Sequence, residues 1–331
     1  MTSINIVQVN HPRVDTTLVR FLAVIFITNS HLDLLYPDPR LGTGGAIGNA
    51  LFFFLSGFGI VSSLSAAKVS FGFVDYIKRR LIKIYPSVWL VTGLFFLINE
   101  SVRVDGLGAI LSYFIWPTGY WFISAIVIFY IPFYFIGKFE SRLIFAVALV
   151  LFIPFFYFYR YLDLSVFSLE SGDFKWIGYF QIMLVGGLFS RFRFEYFTQR
   201  QMFLIVFGLI LMFYMAKIFV FKTGFGDFQF LIHFLLLALV CSLFEILSND
   251  DVVEYFRSKK IFSAVSLVGG ASLEIYLVQV PLIPYLKSFD VVFPFNIVFA
   301  FLAVSLIGIL IGYIAPRLFY YLFVKGLGVQ L

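Results

Sequence analysis

The segment RFLAVIFITNSH begins with Arg20 and ends with His31, with ten mostly apolar residues between them. Because a helical residue advances about 100° and rises about 1.5 Å, the two share one face, roughly 20° and ~16 Å apart. They are therefore expected to look into one space at different depths. One interpretation is an arginine that reaches the headgroups and a water-capped histidine. The other is a functional pair facing a cavity, with Asn29, Ser30 and Asp33 making the surroundings of His31 polar and able to orient an imidazole.

A second stretch, NALFFFLSGFGI, places small residues within an apolar segment. Ser56 and Gly57 would let another helix or a ligand approach the backbone closely. Helix packing alone accounts for such a patch, so a binding role depends on the other motifs. Asn49, at the start of the same stretch, is a candidate polar contact for a substrate.

A third stretch, YIKRRLIKIYPSVW, contains a basic cluster of Arg79, Arg80 and Lys83. Arg80 and Lys83 are three residues apart and are neighbours on one helical face. Any cytoplasmic loop is expected to be basic, but guanidinium and ammonium groups also bind phosphates. Both interpretations stay open, and the sequence contains no glycine-rich phosphate loop.

Three more residues are candidates outside these stretches, and His233 carries less weight. Tyr120 and Trp121 begin an apolar segment, where aromatic rings occur in membrane belts and also stack on sugars. Glu274 is a carboxylate in an apolar segment with no partner evident from sequence; it lines a cavity or pairs with a cation. His233 is expected to pack or to meet the headgroups.

The whole chain is far more apolar than a soluble protein. Of 331 residues, 61% are hydrophobic and 13% charged, against about 25% charged in soluble domains. About ten segments are long enough to span a membrane, so we predict an all-α, polytopic membrane helix bundle forming one domain over 1–331. The ninth segment is the most interrupted by Gly, Pro and polar residues. The predicted segments are 17–35, 49–66, 81–99, 119–137, 142–160, 175–190, 201–221, 228–247, 264–287 and 294–315.

Basic residues predict the orientation, since cytoplasmic loops carry excess Lys and Arg. With both termini inside, sixteen of the 24 Lys and Arg residues fall on the inner side and seven on the outer, and Arg20 lies within the first helix. The net charge of +6 is thus a topology signal and does not indicate nucleic-acid binding. A single cysteine, Cys241, excludes an intramolecular disulfide and a cysteine-based metal cluster; no metal is predicted.

The three stretches, taken in their order along the chain, resemble the motifs of the acyltransferase-3 family of integral-membrane O-acyltransferases. The likeness comprises an arginine, ten residues and a histidine in the first helix, FFxLSGF in the second, and R-x-x-K/R-I-x-P in the third. It continues in GYWFISAIVIFYIPFY and GGASLEIYLVQ. The resemblance covers most of the chain, although the middle and last segments match only in hydrophobicity.

The resemblance implies transfer of an acyl group, commonly acetyl, from cytoplasmic acyl-CoA to a hydroxyl of a cell-surface or exported carbohydrate. It implies His31 as the catalytic residue, acting as general base or acyl carrier, with Arg20 as its functional partner. The protein would be integral to the membrane, in a bacterial inner membrane. Candidate donor-binding residues are Arg79, Arg80, Lys83, Ser56 and Gly57; candidate acceptor-binding residues are Tyr120, Trp121, Glu274 and Asn49.

Two departures from the family pattern matter. Lys83 stands where a second arginine is usual, which weakens bidentate recognition of phosphate. Gln279 stands where a histidine is common, which puts a catalytic role there in doubt. Two other functions stay open: a glycan or lipid-linked sugar transporter or flippase without covalent chemistry, and an inactive scaffold. The oligomeric state is not specified by the sequence.

Overall fold

The computed structural model describes residues 6–8, 14–66, 72–98, 106–116, 119–148, 164–194, 197–289 and 291–325, and helices dominate them. Two three-residue strands, β1 (Ile6–Gln8) and β2 (Phe192–Phe194), pair antiparallel. A π-helical turn, Tyr320–Lys325, follows the last helix. The helices are α1 (Thr17–His31), α2 (Gly45–Ala66), α3 (Phe73–Ile98), α4 (Leu107–Phe114), α5 (Trp121–Gly137), α6 (140–148), α7 (Gly172–Phe189), α8 (Gln199–Thr223), α9 (Gln229–Leu247), α10 (Asp250–Arg257), α11 (Phe262–Gly270), α12 (Ser272–Leu286) and α13 (Phe295–Phe319).

The helices of the described residues confirm an all-α membrane protein. Five apolar stretches are long enough to cross a bilayer by themselves, and the bent pair α11–α12 gives a sixth. Helices α1 and α5 are apolar but shorter, and most of the predicted segment 142–160 lies outside the described residues. The count of ten and the N-in, C-in orientation therefore stay predictions. The five stretches are Pro39–Ser65, Phe73–Leu97, Gln199–Thr223, Gly226–Leu247 and Phe295–Leu322.

The interrupted ninth segment is a broken helix, as its composition indicated. Helices α11 and α12 meet at Ala271 with a bend of 72°. Pro281 and Pro284 lie further along α12 without ending it. Prolines are tolerated in membrane helices when neighbouring groups satisfy the freed backbone carbonyls.

Two boundaries differ from the prediction in ways that matter for the site. Helix α3 begins at Phe73, two turns before the expected residue 81, so the basic cluster lies inside a helix. Lys and Arg are good helix formers, and Asp75 in the first turn favours the positive end of the helix dipole. Helix α1 ends at His31 and not at residue 35, because the chain turns into a short 3₁₀ helix, Asp33–Leu35.

The chain before α1 is fixed by the carboxylate of Asp15. Its oxygens accept the backbone N–H of Thr17 at 2.9 Å and the guanidinium of Arg257 in α10 at 2.6 Å. Burial raises the pKa of Asp15, but the bonds from Thr17 and Arg257 outweigh burial and hold that pKa below its usual value. The ionised carboxylate therefore satisfies a helix-terminal N–H at the start of the helix that carries Arg20.

Contacts between the helices form two compact units. The first comprises Met1–Arg20, Ala46–Phe71 and Ile131–Phe262. Its core contains four phenylalanines whose contacting rings lie 4.9–5.9 Å apart: Phe54 and Phe58 from α2, Phe189 from α7 and Phe244 from α9. Aromatic pairs at these distances add stability beyond the area they bury.

The second unit comprises Phe21–Gly45, Gly72–Tyr130 and Ser263–Leu331. Helices α12 and α13 pack along each other and both contact α3. The short helix α4 is held on α3 by two hydrogen bonds. The Tyr85 hydroxyl donates to the carbonyl of Ile115 at 2.7 Å, and the Trp89 indole donates to the carbonyl of Phe114 at 2.9 Å.

Candidate active site

Arg20 and His31 lie near the two ends of one unbroken helix, α1. The shared face is present, with about 16 Å between the residues along the axis. Val24 and Ile27 lie between them on that face and are 0% and 1% exposed. Arg20 is exposed and His31 is half-buried. The part of that face between Arg20 and His31 is therefore buried, and the two groups are too far apart for direct contact.

Asn29, two residues before the end of α1, holds the loop that follows His31. Its amide nitrogen donates to the carbonyl oxygens of Leu41 at 3.0 Å and Thr43 at 2.9 Å. Its amide oxygen accepts the Tyr36 hydroxyl at 2.6 Å. This single side chain therefore folds the loop back over the end of α1.

The imidazole of His31 is left available by its neighbours. Ser30 donates to the carbonyl of Ile27 at 2.7 Å, and Asp33 accepts the backbone N–H of Leu34 at 2.8 Å. Within the described part of the chain, neither ring nitrogen of His31 has a hydrogen-bond partner. Ser30 and Asp33 thus use these hydrogen bonds within the helix end and the loop, and the ring nitrogens of His31 remain for a ligand.

The predicted phosphate-binding cluster lies in the first half of α3. The guanidinium carbon of Arg80 lies 5.5 Å from the ring centroid of Tyr76 and 6.0 Å from that of Tyr130. Both distances are within the range of cation–π attraction. Arg79 and Lys83 are exposed. The cluster therefore presents one arginine positioned by aromatic rings beside two exposed cations.

The small residues of α2 pack against α7. A Cβ at Gly57 would lie 1.8 Å from the carbonyl oxygen of Met183, and one at Gly186 would lie 2.0 Å from that of Phe54. The Ser56 hydroxyl donates to the carbonyl of Phe52 within its own helix at 2.8 Å. Gly57 thus has a packing role in the first unit. The predicted part of Ser56 and Gly57 in donor binding stays a prediction.

Glu274 has a partner that the sequence did not reveal. In the second unit the Ser87 hydroxyl of α3 donates to Oε1 of Glu274 at 2.7 Å. Glu274 is 9% exposed, and a Cβ at Gly312 of α13 would lie 3.5 Å from its carboxylate. The carboxylate is therefore enclosed by α3, α12 and α13.

The aromatic candidates lie at the start of α5, with Trp121 as its first residue and Tyr120 directly before it. Tyr120 is buried, and its ring centroid lies 6.2 Å from that of Tyr276 in α12, while Phe122 lies 5.3 Å from the same ring. Trp121 is half-buried. Tyr120 is thus part of an aromatic cluster of the second unit, and Trp121 is the more accessible of the pair.

Two further polar residues, Asn49 and His233, belong to the first unit. Asn49 is half-buried on α2, on the same helical face as Ala46. The carbonyl oxygen of Ala46 accepts the hydroxyl of Tyr179 at 3.5 Å. His233 is 3% exposed, and its Nε2 lies 2.5 Å from Oε1 of Gln181. His233 therefore packs in the interior, one of the two places expected for it.

Comparison with known proteins decides the family. A family model described as an acyltransferase domain, that of acyltransferase-3, matches residues 14–315. The chain belongs to the acyltransferase-3 family. No match to a curated protein or to a solved structure was found.

The two units divide the candidate residues of this acyltransferase-3 protein. The first unit contains Arg20, Asn49, Ser56 and Gly57. The second unit contains the other candidates, which are His31, Arg79, Arg80, Lys83, Tyr120, Trp121 and Glu274. The histidine, the basic cluster and the enclosed carboxylate thus share one compact part of the acyltransferase.

Sequence reasoning missed Ser87 and Gln181, the partners of Glu274 and His233. Each is separated from its partner along the chain, by 187 and 52 residues. A polar residue inside an apolar segment was the available signal, because buried polar groups are usually hydrogen-bonded. That signal shows that a partner is needed but does not identify it.

Proposed function

We propose that this membrane acyltransferase moves an acyl group, acetyl in the simplest case, from acyl-CoA to a hydroxyl of a cell-surface or exported carbohydrate. The family match over residues 14–315 carries the proposal. The available imidazole of His31 supports it, because acyl transfer to a hydroxyl needs a base or a nucleophile.

In the proposed reaction a ring nitrogen of His31 accepts the proton of the acceptor hydroxyl. The hydroxyl oxygen attacks the thioester carbonyl, the carbon–sulfur bond breaks, and the proton passes to the departing CoA thiolate. Alternatively, His31 attacks first and carries the acyl group to the acceptor. Both routes give the ester and free CoA.

We assign donor binding to Arg80, Lys83 and Arg79. The rings of Tyr76 and Tyr130 hold Arg80, and a positioned guanidinium suits phosphate recognition. The positive-inside pattern would place this cluster at the cytoplasmic face, where acyl-CoA is available. Trp121 and Tyr120 are proposed for sugar stacking and Glu274 for hydrogen bonding to sugar hydroxyls.

One observation favours a second candidate function, a glycan or lipid-linked sugar flippase. The 72° break between α11 and α12 is the kind of discontinuous helix that transporters use at binding sites. The two functions can be distinguished by free CoA, because acyl transfer releases it and flipping does not.

The test is mass spectrometry of surface polysaccharide from cells with the gene, without it, and complemented with wild type or His31→Ala. The proposal expects ester-linked acyl groups only with the wild-type gene. A flippase would change the amount of surface glycan and leave its acylation intact. Equal acylation in wild type and His31→Ala, at matched protein levels, would contradict the proposal.

A further inference from the structure

Gln279 is a buried amide with unused hydrogen-bonding capacity. It lies at the middle of α12 and is 0% exposed. Among the described residues, neither its Nε2 nor its Oε1 has a hydrogen-bond partner. An unsatisfied buried polar group is costly, and an apolar residue of the same shape would avoid that cost.

A second unused polar group lies on α13. Ser305 is 5% exposed, and its hydroxyl also has no partner within the described part of the chain. Ser305 is the eleventh residue of the 25-residue helix α13, which places it close to the middle of a stretch long enough to cross the membrane. Few ligand groups enter the bilayer at this depth.

The packing of α12 on α13 relates these two side chains. A Cβ at Gly308 would lie 2.5 Å from Cγ1 of Ile275, and one at Gly312 would lie 3.5 Å from the carboxylate of Glu274. Later residues of α13 thus lie beside earlier residues of α12, so the helices run antiparallel. Gln279 is one turn after Ile275 and Ser305 is one turn before Gly308, which puts both at one level on the contacting faces.

The chemistry of the pair selects a neutral ligand. An amide side chain donates from Nε2 and accepts at Oε1, and a serine hydroxyl does both. A group that donates and accepts hydrogen bonds would satisfy Gln279 and Ser305 together. An ionised group would have to be desolvated among apolar helices, and neither residue carries a balancing charge.

We propose that Gln279 and Ser305 form a subsite for an amide of the pantetheine arm of CoA. This inference rests on the proposed function, in which acyl-CoA is the donor. The arm carries neutral secondary amides, each with one N–H donor and one carbonyl acceptor, and it has to enter the membrane for its thioester to reach an acceptor beyond the bilayer. Gln279 thereby gains a binding role where the family commonly has a histidine.

The test compares the affinity of two probes for purified protein in lipid nanodiscs. CoA contains the pantetheine arm, whereas adenosine 3′,5′-bisphosphate lacks it. Gln279→Leu should weaken CoA binding about 5- to 30-fold, the loss expected for hydrogen bonds of ordinary strength, and leave bisphosphate binding unchanged. Ser305→Ala should weaken CoA binding in the same direction by less, while Val280→Leu, at a 41% exposed position of α12, should match wild type.

The outcomes separate the subsite from the proposed function. A Gln279→Leu protein that binds CoA as tightly as wild type would overturn the subsite. If the unfolding temperature of that variant were also raised, the amide of Gln279 would be hydrogen-bonded only to water in the wild-type protein. Equal weakening of both probes would also overturn it, because that pattern marks an indirect change. Wild-type protein that binds neither probe would instead overturn acyl-CoA as the donor.

Discussion

Among the described residues, His31 differs from its polar neighbours because neither of its ring nitrogens has a hydrogen-bond partner. Asn29 holds the following loop, and Ser30 caps a carbonyl of its own helix. The sequence predicted a polar environment and a common face with Arg20. It could not indicate that Val24 and Ile27 are buried on that face, because burial depends on residues far away in the chain.

Arg80 is the residue whose role in donor binding can be measured most simply. Arg80→Ala should weaken CoA binding by about 1.5–3 kcal/mol, the range for a hydrogen bond to a charged group. Isothermal titration of CoA into purified protein measures this loss. Arg80→Lys should recover part of it, because the charge remains but the planar group that lies near Tyr76 and Tyr130 is lost.

Lys78→Ala provides the matched control for Arg80. Lys78 is an exposed cation of the same helix, and its removal lowers the net charge by the same amount. Equal losses in the Lys78 and Arg80 variants would reduce the cluster to a general electrostatic attraction or a topology determinant.

At the scale of elements, the contact between α2 and α7 shows how a motif can be identified correctly and still be ambiguous. The sequence predicted that the small residues permit close approach. The structure identifies the approaching group as the backbone of α7 near Met183. Close backbone packing of this kind is a common use of glycine in membrane helices.

Gly57 and Gly59 make a matched pair for testing that contact. Gly57→Ala should destabilise the protein by about 1–3 kcal/mol, the usual cost of overpacking, because the added methyl meets a carbonyl oxygen. Gly59→Ala meets nothing within 4 Å and should be neutral or stabilising by up to ~1 kcal/mol. Unfolding curves in mild detergent measure both, and equal stability of the two variants would contradict this packing.

The boundaries of α3 show a limit of hydropathy as a guide to helix ends. The predicted apolar segment began at residue 81, directly after the basic residues Lys78, Arg79 and Arg80. Lys and Arg are good helix formers, and α3 extends through them back to Phe73. An apolar segment therefore marks the part of a helix that lies in the membrane or in the protein interior. Polar turns of the same helix can extend beyond that part.

For the whole molecule, composition was sufficient to predict a helical membrane protein and its family motifs were sufficient to predict the family. The pairing of Ser87 with Glu274 and the grouping of helices into two units were not predictable. Both depend on contacts between residues that are far apart in the sequence. Orientation was predicted from charge asymmetry alone.

Single-cysteine labelling tests the predicted orientation. With Cys241 replaced by serine, Arg40→Cys in the loop after α1 should react with an impermeant maleimide in intact cells. Lys260→Cys, in the exposed connection between α10 and α11, should react only after permeabilisation. The reverse pattern would contradict N-in, C-in topology and place the basic cluster of α3 away from cytoplasmic CoA.

The central claim, acyl transfer that depends on His31, is tested most directly in proteoliposomes that contain radiolabelled acetyl-CoA and face the carbohydrate acceptor. Wild-type protein should release free CoA thiol and label the glycan in equal amounts. His31→Ala should lower both rates by about 10²–10⁴-fold, the usual contribution of a general base, with CoA affinity and unfolding temperature unchanged. Full activity in His31→Ala, or glycan movement across the membrane without release of CoA, would contradict the account.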